Sequence, residues 1–485
     1  MAIKDQRRAR YPISMSSGLK VEYLSYVDVL AQSVSVIAPS TVPAAVLGLI
    51  YASSGNGTWL SFLLGMAGLV IVSVNINEFA RRSSSAGSLY SFIVRGLGPS
   101  SGVLSGWALL FGYMLTGVST LCGFVATSHG LLGAVSLTIP DEVLATGAIA
   151  VAYALSARDV KLSAKTMLVL EGIAISAVLA LGVLVWRHNG FSLDRDQLIL
   201  SGATPGGILA GVVLVVFGFS GFESSTSLGE EAKDPLRSIP RSIVQSVLIS
   251  GFIFVFMAYV VILGFRGHSE NLAKVENPLL LLSGEIGANW LGAIINIGIL
   301  LSFFSCTMAS INATARIVFS MARHGVAPGL LGAAHEKTET PRYALGLAAM
   351  LTLFLAVAPW LGGISPYESQ GYFGTLCSFG FLTAYIMISI SAPVYLRRIG
   401  ELKVRSIVFG ALGAGLMVIP FVGVIGIPGS ALFPPPQFPN NLLVWGFLAY
   451  MLWGAGWLFF LRKYYPEAIV NVVNANGGAK TEPAT

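Results

Sequence analysis

The chain has 485 residues, of which 54% are hydrophobic and only 11% are charged. A soluble domain usually carries about 25% charged residues, so this composition argues against a soluble multidomain enzyme, and three cysteines are too few for a disulfide-stapled scaffold. A formal net charge of +6 fits either nucleic-acid binding or the basic cytoplasmic loops of a membrane protein. The positions of the charges decide between the two.

Twelve long apolar segments predict an all-α polytopic membrane protein with no inserted soluble domain. In chain order they cover residues 26–51, 58–80, 102–131, 142–157, 163–186, 207–229, 242–265, 290–322, 343–361, 371–396, 405–427 and 441–461. Residues 1–25 are expected to form a cytoplasmic N-terminal segment, and residues 464–485, beyond the last span, a disordered cytoplasmic tail.

The basic residues fall mostly on one side of this predicted topology. With the N-terminus placed in the cytoplasm, 25 of the 29 Lys and Arg residues lie inside, and the four outside are Arg187, Arg195, Arg266 and Lys274. Cytoplasmic loops carry such an excess of Lys and Arg. Both termini are therefore expected to be cytoplasmic, in a multi-pass protein of the plasma membrane. The lipid bilayer explains the positive charge, and no nucleic-acid partner is needed.

Two of the predicted spans are interrupted. The first contains Pro39 and Pro43 among small hydroxyl residues, and the sixth reads Phe-Gly-Phe-Ser-Gly-Phe-Glu over residues 217–223. Proline removes a backbone N–H and clashes with the preceding turn, and freed backbone groups inside a membrane must face protein or a watery cavity. Two kinked structural helices are the alternative interpretation, because Pro and Gly are common in spans.

The positions of the interruptions favour a transport site. Spans one and six are five apart, so they cross the membrane in opposite directions, as in a five-helix inverted repeat whose substrate lies at the broken helices. Half-helix N-termini attract anionic groups and exposed carbonyls attract cationic ones. A zwitterion carries both groups and is the natural ligand of such a site.

Three segments resemble signatures of the amino acid–polyamine–organocation permeases. They are residues 77–80 with 86–90 (Asn-Glu-Phe-Ala and Ala-Gly-Ser-Leu-Tyr), residues 218–223 with 230–235 and 239–241, and residues 310–316 with 321–325. With the twelve spans, the resemblance covers roughly residues 20–465. It implies the leucine-transporter fold, with inverted repeats at 26–186 and 207–396, and with two further helices at 405–463.

The resemblance also implies where the substrate binds. The carboxylate would dock at the first break, formed by Ile37, Ala38, Pro39, Ser40 and Thr41, and the amino group at the second, formed by Phe217, Gly218, Phe219, Ser220, Gly221 and Phe222. Pro39-Ser40-Thr41 stands where many members have Gly-Ser/Thr-Gly, which changes the set of N–H donors and leaves room for amines. Phe219 or Phe222 could close over the site, unless they pack in the core or against lipid.

Ionisable residues within spans are costly and are treated as functional candidates. Glu171, in the fifth span, and Glu223, beyond the second break, are candidates for carrying a coupling proton. Glu171 could instead be a structural hydrogen-bonding group, and Glu223 could brace the broken helix or bind a substrate cation. Ser305, Thr307 and Ser310 form a weaker sodium-site candidate. Proton coupling is preferred to sodium coupling, and exchange and the oligomeric state stay open.

Other classes of function have little support. Residues 218–221 match the Gly-x-Ser-Gly of intramembrane serine proteases, but that chemistry needs a histidine at the same depth. The five histidines lie at helix ends or in loops: His129, His188, His268, His324 and His335. No P-loop, dinucleotide or metal motif predicts a cofactor, and no filter-like repeat indicates a channel.

The sequence thus predicts a secondary active transporter of a small amino acid, not an enzyme. It would work by alternating access, with proton symport. A polyamine or organic amine permease, or an amino acid exchanger, is the alternative.

Overall fold

The computed structural model describes residues 18–133, 136–275, 277–430 and 432–476. This part of the chain is helical, apart from turns, loops and an isolated parallel bridge between Leu24 and Ala232. The α-helices are α1 Tyr26–Ile37, α2 Thr41–Ala45, α3 Leu47–Ser54, α4 Thr58–Ala80, α5 Ser88–Leu97, α6 Pro99–Gly133, α7 Asp141–Arg158, α8 Val160–His188, α9 Arg195–Leu198, α10 Pro205–Gly218, α11 Pro235–Gly264, α12 Pro278–Glu285, α13 Asn289–Arg323, α14 Arg342–Leu361, α15 Pro366–Arg398, α16 Val404–Ile425, α17 Asn441–Tyr464 and α18 Pro466–Ala475.

Nine helical stretches of the described chain are long and apolar enough to cross a membrane. They are Leu47–Ala80, which joins α3 to α4, and the helices α6, α8, α11, α13, α14, α15, α16 and α17. The apolar helix α10 has only 14 residues. Three of the twelve predicted spans are missing from the nine. The first and sixth are divided into short pieces, and the fourth corresponds to α7, whose 18 residues include Asp141, Glu142 and Arg158.

The interruption of the first span follows from its sequence. Helix α1 ends at Ile37, and Ala38 adopts a left-handed conformation with φ of 50°, which costs an L-residue about 1–2 kcal/mol. Pro39 cannot donate a backbone hydrogen bond, so the helical ladder of α1 cannot continue through it. The chain re-enters helical structure at Thr41.

The second interruption follows the end of α10. Gly221 has φ of 86°, in a region where glycine carries no steric cost. The following residues form a short 3-10 helix, Ser224–Leu228. Helix α11 starts at Pro235, whose missing N–H is harmless in a first helical turn.

The two broken segments lie within a bundle of long helices. Helix α6 packs along α13 and α15, while α1 packs against α8, α11 and α13. Many large apolar side chains on the outer helices are exposed, among them Leu452 and Trp453 on α17. Such exposure is expected where a bilayer is the solvent.

The prediction of a disordered tail from residue 464 onward is wrong for Pro466–Ala475, which form α18. Ala468 and Val472 are buried one helical turn apart, and α18 packs against α5, α6 and α17. Burial of this apolar stripe stabilises the helix. In the sequence, the small and polar residues around the stripe suggested disorder instead. Residues 477–485 and 1–17, which complete the predicted terminal segments, lie outside the described residues.

Candidate functional site

A small cavity of about 70 Å³ lies where the two broken segments meet. Helices α1, α2, α6, α10, α13 and α15 all contribute to its wall. It is called the central cavity below, and its lining residues are Val36, Ile37, Ala38, Thr41, Val42, Ala45, Val46, Thr116, Ser119, Thr120, Phe217, Gly218, Ser220, Phe303, Cys306, Gln370 and Cys377.

The wall of the central cavity carries no carboxylate, ammonium, guanidinium or imidazole group among its described lining residues. Its polar groups are hydroxyls, the amide of Gln370, the thiols of Cys306 and Cys377, and backbone atoms of the two breaks. The rest of the surface is apolar, with the rings of Phe217 and Phe303 as its largest parts.

Both α1 and α10 present their C-terminal ends to the central cavity. The last carbonyls of a helix lack helical partners and carry partial negative charge. Cys306 Sγ donates to the carbonyl of Val36 at 3.1 Å, which satisfies one of them. The arrangement suits a cationic group of a ligand.

The N–H groups expected to receive a carboxylate are largely engaged. The carbonyl of Ala38 accepts from Thr41 N at 3.0 Å and from Thr41 Oγ1 at 2.8 Å. Ser40 turns its N–H and hydroxyl toward Glu171, although the hydroxyl lies outside hydrogen-bonding geometry. The first break therefore offers a ligand fewer donors than the resemblance implied.

The structure brings six of the eleven predicted binding residues to the central cavity. They are Ile37, Ala38, Thr41, Phe217, Gly218 and Ser220. The other five, Pro39, Ser40, Phe219, Gly221 and Phe222, do not line it. The ring of Phe219 packs edge-on against Phe254, with centroids 4.9 Å apart, and that of Phe222 packs against Tyr385 at 5.1 Å. The two aromatics suggested as gates thus lie in the core.

Phe217 takes the position at the mouth. A second cavity of about 430 Å³, called the vestibule below, is lined partly by Leu49, Tyr367, Glu368 and Val424. The residues that it shares with the central cavity are Ala45, Val46, Ser119, Phe217 and Gln370. Ser119 Oγ donates to the carbonyl of Gln370 at 2.7 Å. These shared residues form the thin layer between the two spaces.

Glu171 lies on α8, beside the central cavity but not in its wall. Its side chain is buried, and Ser302 Oγ lies 2.8 Å from Oε2 and 3.1 Å from Oε1. Ser40 of the first break faces the same carboxyl group. No salt bridge joins Glu171 to a cation in the described chain. The carboxyl group therefore connects α8, α13 and the first break.

Glu223 is held by two tyrosines. Tyr113 on α6 donates to Oε1 at 2.7 Å, and Tyr385 on α15 donates to Oε2 at 2.5 Å. Tyr385 Oη also accepts from the N–H of Gly221 at 2.9 Å. Glu223 does not line the central cavity, so this geometry fits the bracing role better than contact with a substrate cation.

The sodium-site candidates on α13 are buried hydroxyls. Ser305 Oγ and Ser310 Oγ have no hydrogen-bond partner in the described chain, whereas Thr307 Oγ1 donates to the carbonyl of Phe303 at 2.9 Å. No group of three or more His, Cys, Asp or Glu side chains suited to a metal occurs within the described ranges.

The bundle is closed at the end opposite the vestibule. Arg316 on α13 and Glu231 form a buried two-point ion pair, with Nε–Oε2 at 2.6 Å and Nη2–Oε1 at 3.1 Å. The carbonyl of Glu231 accepts from the N–H groups of Tyr23 and Leu24, at 2.9 Å each. The segment that precedes α1 is therefore fixed over this end.

A second ion pair ties the same segment to α8. Lys20 Nζ lies 2.8 Å from Asp159 Oδ2, and Tyr23 donates to the same oxygen at 3.1 Å. Partial burial opposes ionisation of Asp159, but the hydrogen bonds from Lys20, Lys161 N and Tyr23 outweigh it and lower the pKa of this carboxyl group. The bond to Asp159 raises the pKa of Lys20.

Several residues of the site had not been singled out from the sequence. Thr116, Ser119 and Thr120 project from one face of α6 into the central cavity, and their i, i+3, i+4 spacing is a signal that could have found them. Gln370 and Tyr385 lie on α15, where neither belongs to a recognisable motif. Only the packing of distant helices identifies them.

The family model for amino acid permeases matches residues 28–434. The chain belongs to the amino acid permease family. Residues 28–434 include both breaks and every residue that lines the central cavity. The resemblance that the sequence motifs suggested is thereby confirmed.

Curated relatives of this permease have diverse substrates in their names. It is 26% identical to the branched-chain amino acid permease BcaP of Bacillus subtilis, over 70% of this chain and 74% of that protein. It is 24% identical to the methylthioribose transporter of Bacillus subtilis, over 84% and 83%. It is also 24% identical to the low-affinity putrescine importer PlaP of Escherichia coli, over 68% and 73%.

The fold of this permease is shared with a solved transporter. A Na+-coupled sialic acid symporter in a substrate-bound outward-open state aligns with a TM-score of 0.51, at 13% identity, over 84% of this chain and 91% of that one. The family and these relatives are transporters and not enzymes. The chain is therefore a multi-pass transporter of the plasma membrane.

Proposed function

We propose that the protein is a secondary active transporter of a small neutral amino acid. The observation that carries this proposal is the central cavity itself, which lies at two helix breaks and has no ionised side chain in its described wall. A ligand with a net charge would be left without a counter-charge there, at a high cost in free energy. A zwitterion with an apolar side chain fits this lining.

The proposed ligand has an orientation. Its ammonium group lies against the C-terminal ends of α1 and α10, where the helix dipoles are negative. The free amide of Gln370 is the neutral side-chain donor available to its carboxylate, because the hydroxyls of Thr116, Ser119 and Thr120 donate to backbone carbonyl groups. Its side chain lies against Val42, Phe217 and Phe303.

The topology proposed for transport has twelve spans and cytoplasmic termini, with inverted repeats at 26–186 and 207–396. The two interrupted helices support this arrangement, since they are the first and sixth of twelve. The closed Arg316 end would then face the cytoplasm and the vestibule would face outward. In the inward-facing state of alternating access, the layer at Phe217 stays closed and the Arg316 end opens to the cytoplasm.

A monoamine is the second candidate. The N–H of Thr41 is engaged by Ala38 and that of Ser40 faces Glu171, which leaves few donors for a carboxylate. The partial negative charges of two helix C-termini would be the counter-charge of a single ammonium group, which compensates it less fully than the carboxylate of a zwitterion does. A diamine does not fit, because its second ammonium group would meet no carboxylate in the described wall.

Thermal stabilisation of the purified protein by matched ligands tests the proposal. A ligand that binds only the folded state raises Tm. L-valine should raise it, and isobutylamine, which is valine without its carboxylate, should not. Putrescine is the dicationic control. Equal shifts with valine and isobutylamine would favour the monoamine, and a shift with putrescine alone would contradict a neutral site.

The cysteines of the chain locate the bound ligand. Cys306 and Cys377 line the central cavity, whereas Cys122 is buried outside it. A ligand in the central cavity should slow the alkylation of Cys306 and Cys377 by N-ethylmaleimide, as measured by mass spectrometry. Slower alkylation of Cys122 as well would indicate that the ligand tightens the whole fold. Protection of Cys122 alone would place the ligand elsewhere.

We further propose that uptake is coupled to protons through Glu171. Its carboxyl group is buried with hydroxyl partners and no cation, and it reaches the first break at Ser40. Loss or gain of its proton changes the charge beside that break. Glu171→Gln is a neutral isostere, so its uptake should lose pH dependence while ligand binding persists.

Glu223→Gln is the matched control for Glu171→Gln, because Glu223 is equally buried and binds two tyrosines away from the wall of the central cavity. It should retain the pH dependence of uptake. An unchanged pH profile in Glu171→Gln would rule out this proton carrier. A requirement for Na+ in K+-substituted proteoliposomes would instead favour the hydroxyls of Ser305 and Ser310.

A further inference from the structure

A pocket of about 490 Å³ lies on the outside of the bundle between α4 and α11. It shares no lining residue with the central cavity. It is called the lateral pocket below, and it is lined by Asn77, Arg81, Leu236, Arg237, Pro240, Arg241, Val244, Gln245 and Leu248.

Three guanidinium groups surround the lateral pocket, and its described wall contains no carboxylate. Arg81 and Arg241 form no salt bridge within the described chain. Arg237 lies 3.8 Å from Asp234, and both of these side chains are mostly exposed, so this pair contributes little. The pocket therefore has a surplus of about three positive charges and suits an anionic ligand.

A buried polar atom in the lateral pocket also lacks a partner. The Asn77 side chain is 5% exposed, and its Oδ1 accepts no hydrogen bond in the described chain. Its Nδ2 donates to the carbonyl of Pro240 at 3.2 Å, which fixes the orientation of the amide. Leaving a buried acceptor unpaired costs about 1–3 kcal/mol, so Asn77 points to a ligand that carries a donor.

The lateral pocket stands at a membrane boundary. Arg81 directly follows the apolar stretch Leu47–Ala80, and Arg237 and Arg241 lie in the first two turns of α11. Further along α11, the apolar side chains of Ile249 and Phe252 are exposed. Basic groups at the rim and apolar groups below match the headgroup and acyl chains of a phospholipid.

We propose that the lateral pocket is a binding site for an anionic phospholipid. The phosphate lies among Arg81, Arg237 and Arg241, a headgroup hydroxyl donates to Asn77 Oδ1, and an acyl chain follows Leu248 and Phe252. Phosphatidylglycerol has all three parts. Basic pockets between transmembrane helices bind anionic headgroups in this way.

The bound lipid would reach α1, the helix that precedes the first break, indirectly through Gln245. Gln245 lines the lateral pocket, and Tyr26, the first residue of α1, donates to its Oε1. Helix α1 also packs along α11. Lipid in the pocket thus stabilises the packing of α1 against α11.

Lipid-dependent stability of the purified full-length protein tests this site. Tm is measured in detergent with dioleoyl phosphatidylglycerol, with dioleoyl phosphatidylcholine and with inorganic phosphate. Only phosphatidylglycerol should raise Tm. In Arg81→Gln/Arg237→Gln/Arg241→Gln the lipid affinity should fall about fivefold per arginine, hence on the order of a hundredfold in all. Equal shifts with phosphatidylcholine or with inorganic phosphate would overturn the proposal.

Arg397→Gln/Lys403→Gln/Arg405→Gln is the matched control. It also removes three exposed positive charges near helix ends, but none of them lines the lateral pocket. It should keep the wild-type response to phosphatidylglycerol. An equal loss in both triple variants would show a general effect of net charge and would refute a defined site.

Hydrogen exchange on the wild-type protein keeps the test valid if the triple variant does not fold. Phosphatidylglycerol should slow exchange in peptides that cover residues 77–81 and 235–248, relative to phosphatidylcholine. Protection confined to other helices would contradict the site.

Discussion

Gly221 shows how one residue shapes the second break. Its φ is 86°, and a Cβ atom built on it would lie 2.2 Å from Val36 Cγ1. Its N–H also donates to Tyr385 Oη at 2.9 Å. The conformation and the close approach to α1 depend on a residue without a side chain, and together they place the N–H that bonds to α15.

Gly221→Ala should therefore lower both stability and uptake. The positive φ alone costs an alanine about 1–2 kcal/mol, and the contact with Val36 requires α1 to move. Tm of the purified protein and uptake into proteoliposomes measure the two effects. Gly415→Ala is the control, because Gly415 has open space around its Cβ position and lies within α16, where alanine is favoured. Normal uptake by Gly221→Ala would show that the break tolerates displacement of α1.

At the residue scale, the sequence predicted the positions of the two breaks more accurately than it predicted which residues line the central cavity. Pro39 and Gly221 were identifiable because each restricts or frees its own backbone. Phe217, not Phe219 or Phe222, reaches the mouth of the central cavity, since the direction of each ring depends on how α10 ends and on what packs against it. A run of alternating Phe, Gly and Ser carries no such information.

At the element scale, Glu223 joins three parts of the bundle. It lies in the broken segment and accepts hydrogen bonds from Tyr113 on α6 and Tyr385 on α15. All three side chains are buried. A break in a helix leaves its two halves without the continuous ladder that would otherwise fix them, and this group supplies cross-links in its place.

Tyr113→Phe and Tyr385→Phe should each lower the free energy of unfolding by about 1–3 kcal/mol, because each removes one donor to a buried carboxyl group. The double variant should deviate from additivity, since the two hydroxyls share Glu223. Thermal or denaturant unfolding measures these values. Tyr153→Phe, whose tyrosine is only partly buried on α7, is the control. Additive losses no larger than the control would show that Glu223 does not act as a brace.

The segment before α1 is a second element, and an ion pair to α8 adds to the backbone hydrogen bonds that fix its position. Lys20 and Tyr23 both bind Asp159, which is also the N-cap of α8. Because its folded pKa is lowered, Asp159 contributes stability above its ordinary pKa of 3.8, and this is lost as pH falls through the folded value. The raised pKa of Lys20 makes its contribution present below the ordinary value of 10.5.

Asp159→Asn should therefore be less stable than the wild type at pH 7, and the difference should shrink as the pH falls below about 4. Asparagine caps a helix about as well as aspartate, so the variant removes the charge and keeps the cap. Tm measured against pH gives the difference. Asp159→Ala should also lose the cap and stay less stable at low pH. A difference that does not vary with pH would exclude the ion pair as its cause.

Among the predicted elements, the sequence was most reliable for the spans that can be identified by the length of an apolar segment alone. Nine stretches of the described chain met that criterion, while the interrupted spans had to be inferred from Pro, Gly and their place in the order. Helix α18 was missed because its burial comes from packing against α17 and against α5 and α6, which lie hundreds of residues earlier. A short apolar stripe by itself does not show that distant helices will cover it.

At the scale of the whole molecule, the two ends of the bundle are closed to different degrees. A thin layer around Phe217 and Gln370 separates the central cavity from the vestibule. At the other end, the buried Arg316–Glu231 pair and the segment around Leu24 lie across the bundle. Under the proposed mechanism, transport requires that this second closure open, so its strength sets how often the site faces the cytoplasm.

Arg316→Gln should weaken that closure. Removing one partner of a buried ion pair costs about 3–5 kcal/mol, because the other charge is left uncompensated. The rate at which a maleimide alkylates Cys306 and Cys377, which line the central cavity, should therefore rise in the purified protein. Mass spectrometry of the labelled peptides gives the rate for each cysteine.

Two comparisons separate opening from unfolding in Arg316→Gln. Cys122 is buried outside the central cavity and should stay unreactive if only the closure opens. Arg82→Gln, which breaks partly exposed pairs with Glu78 and Glu401, should leave all three rates unchanged, because exposed ion pairs contribute at most about 1 kcal/mol. Unchanged alkylation of Cys306 and Cys377 in Arg316→Gln would mean that the segment around Leu24 suffices to close this end, and that the ion pair does not control access to the site.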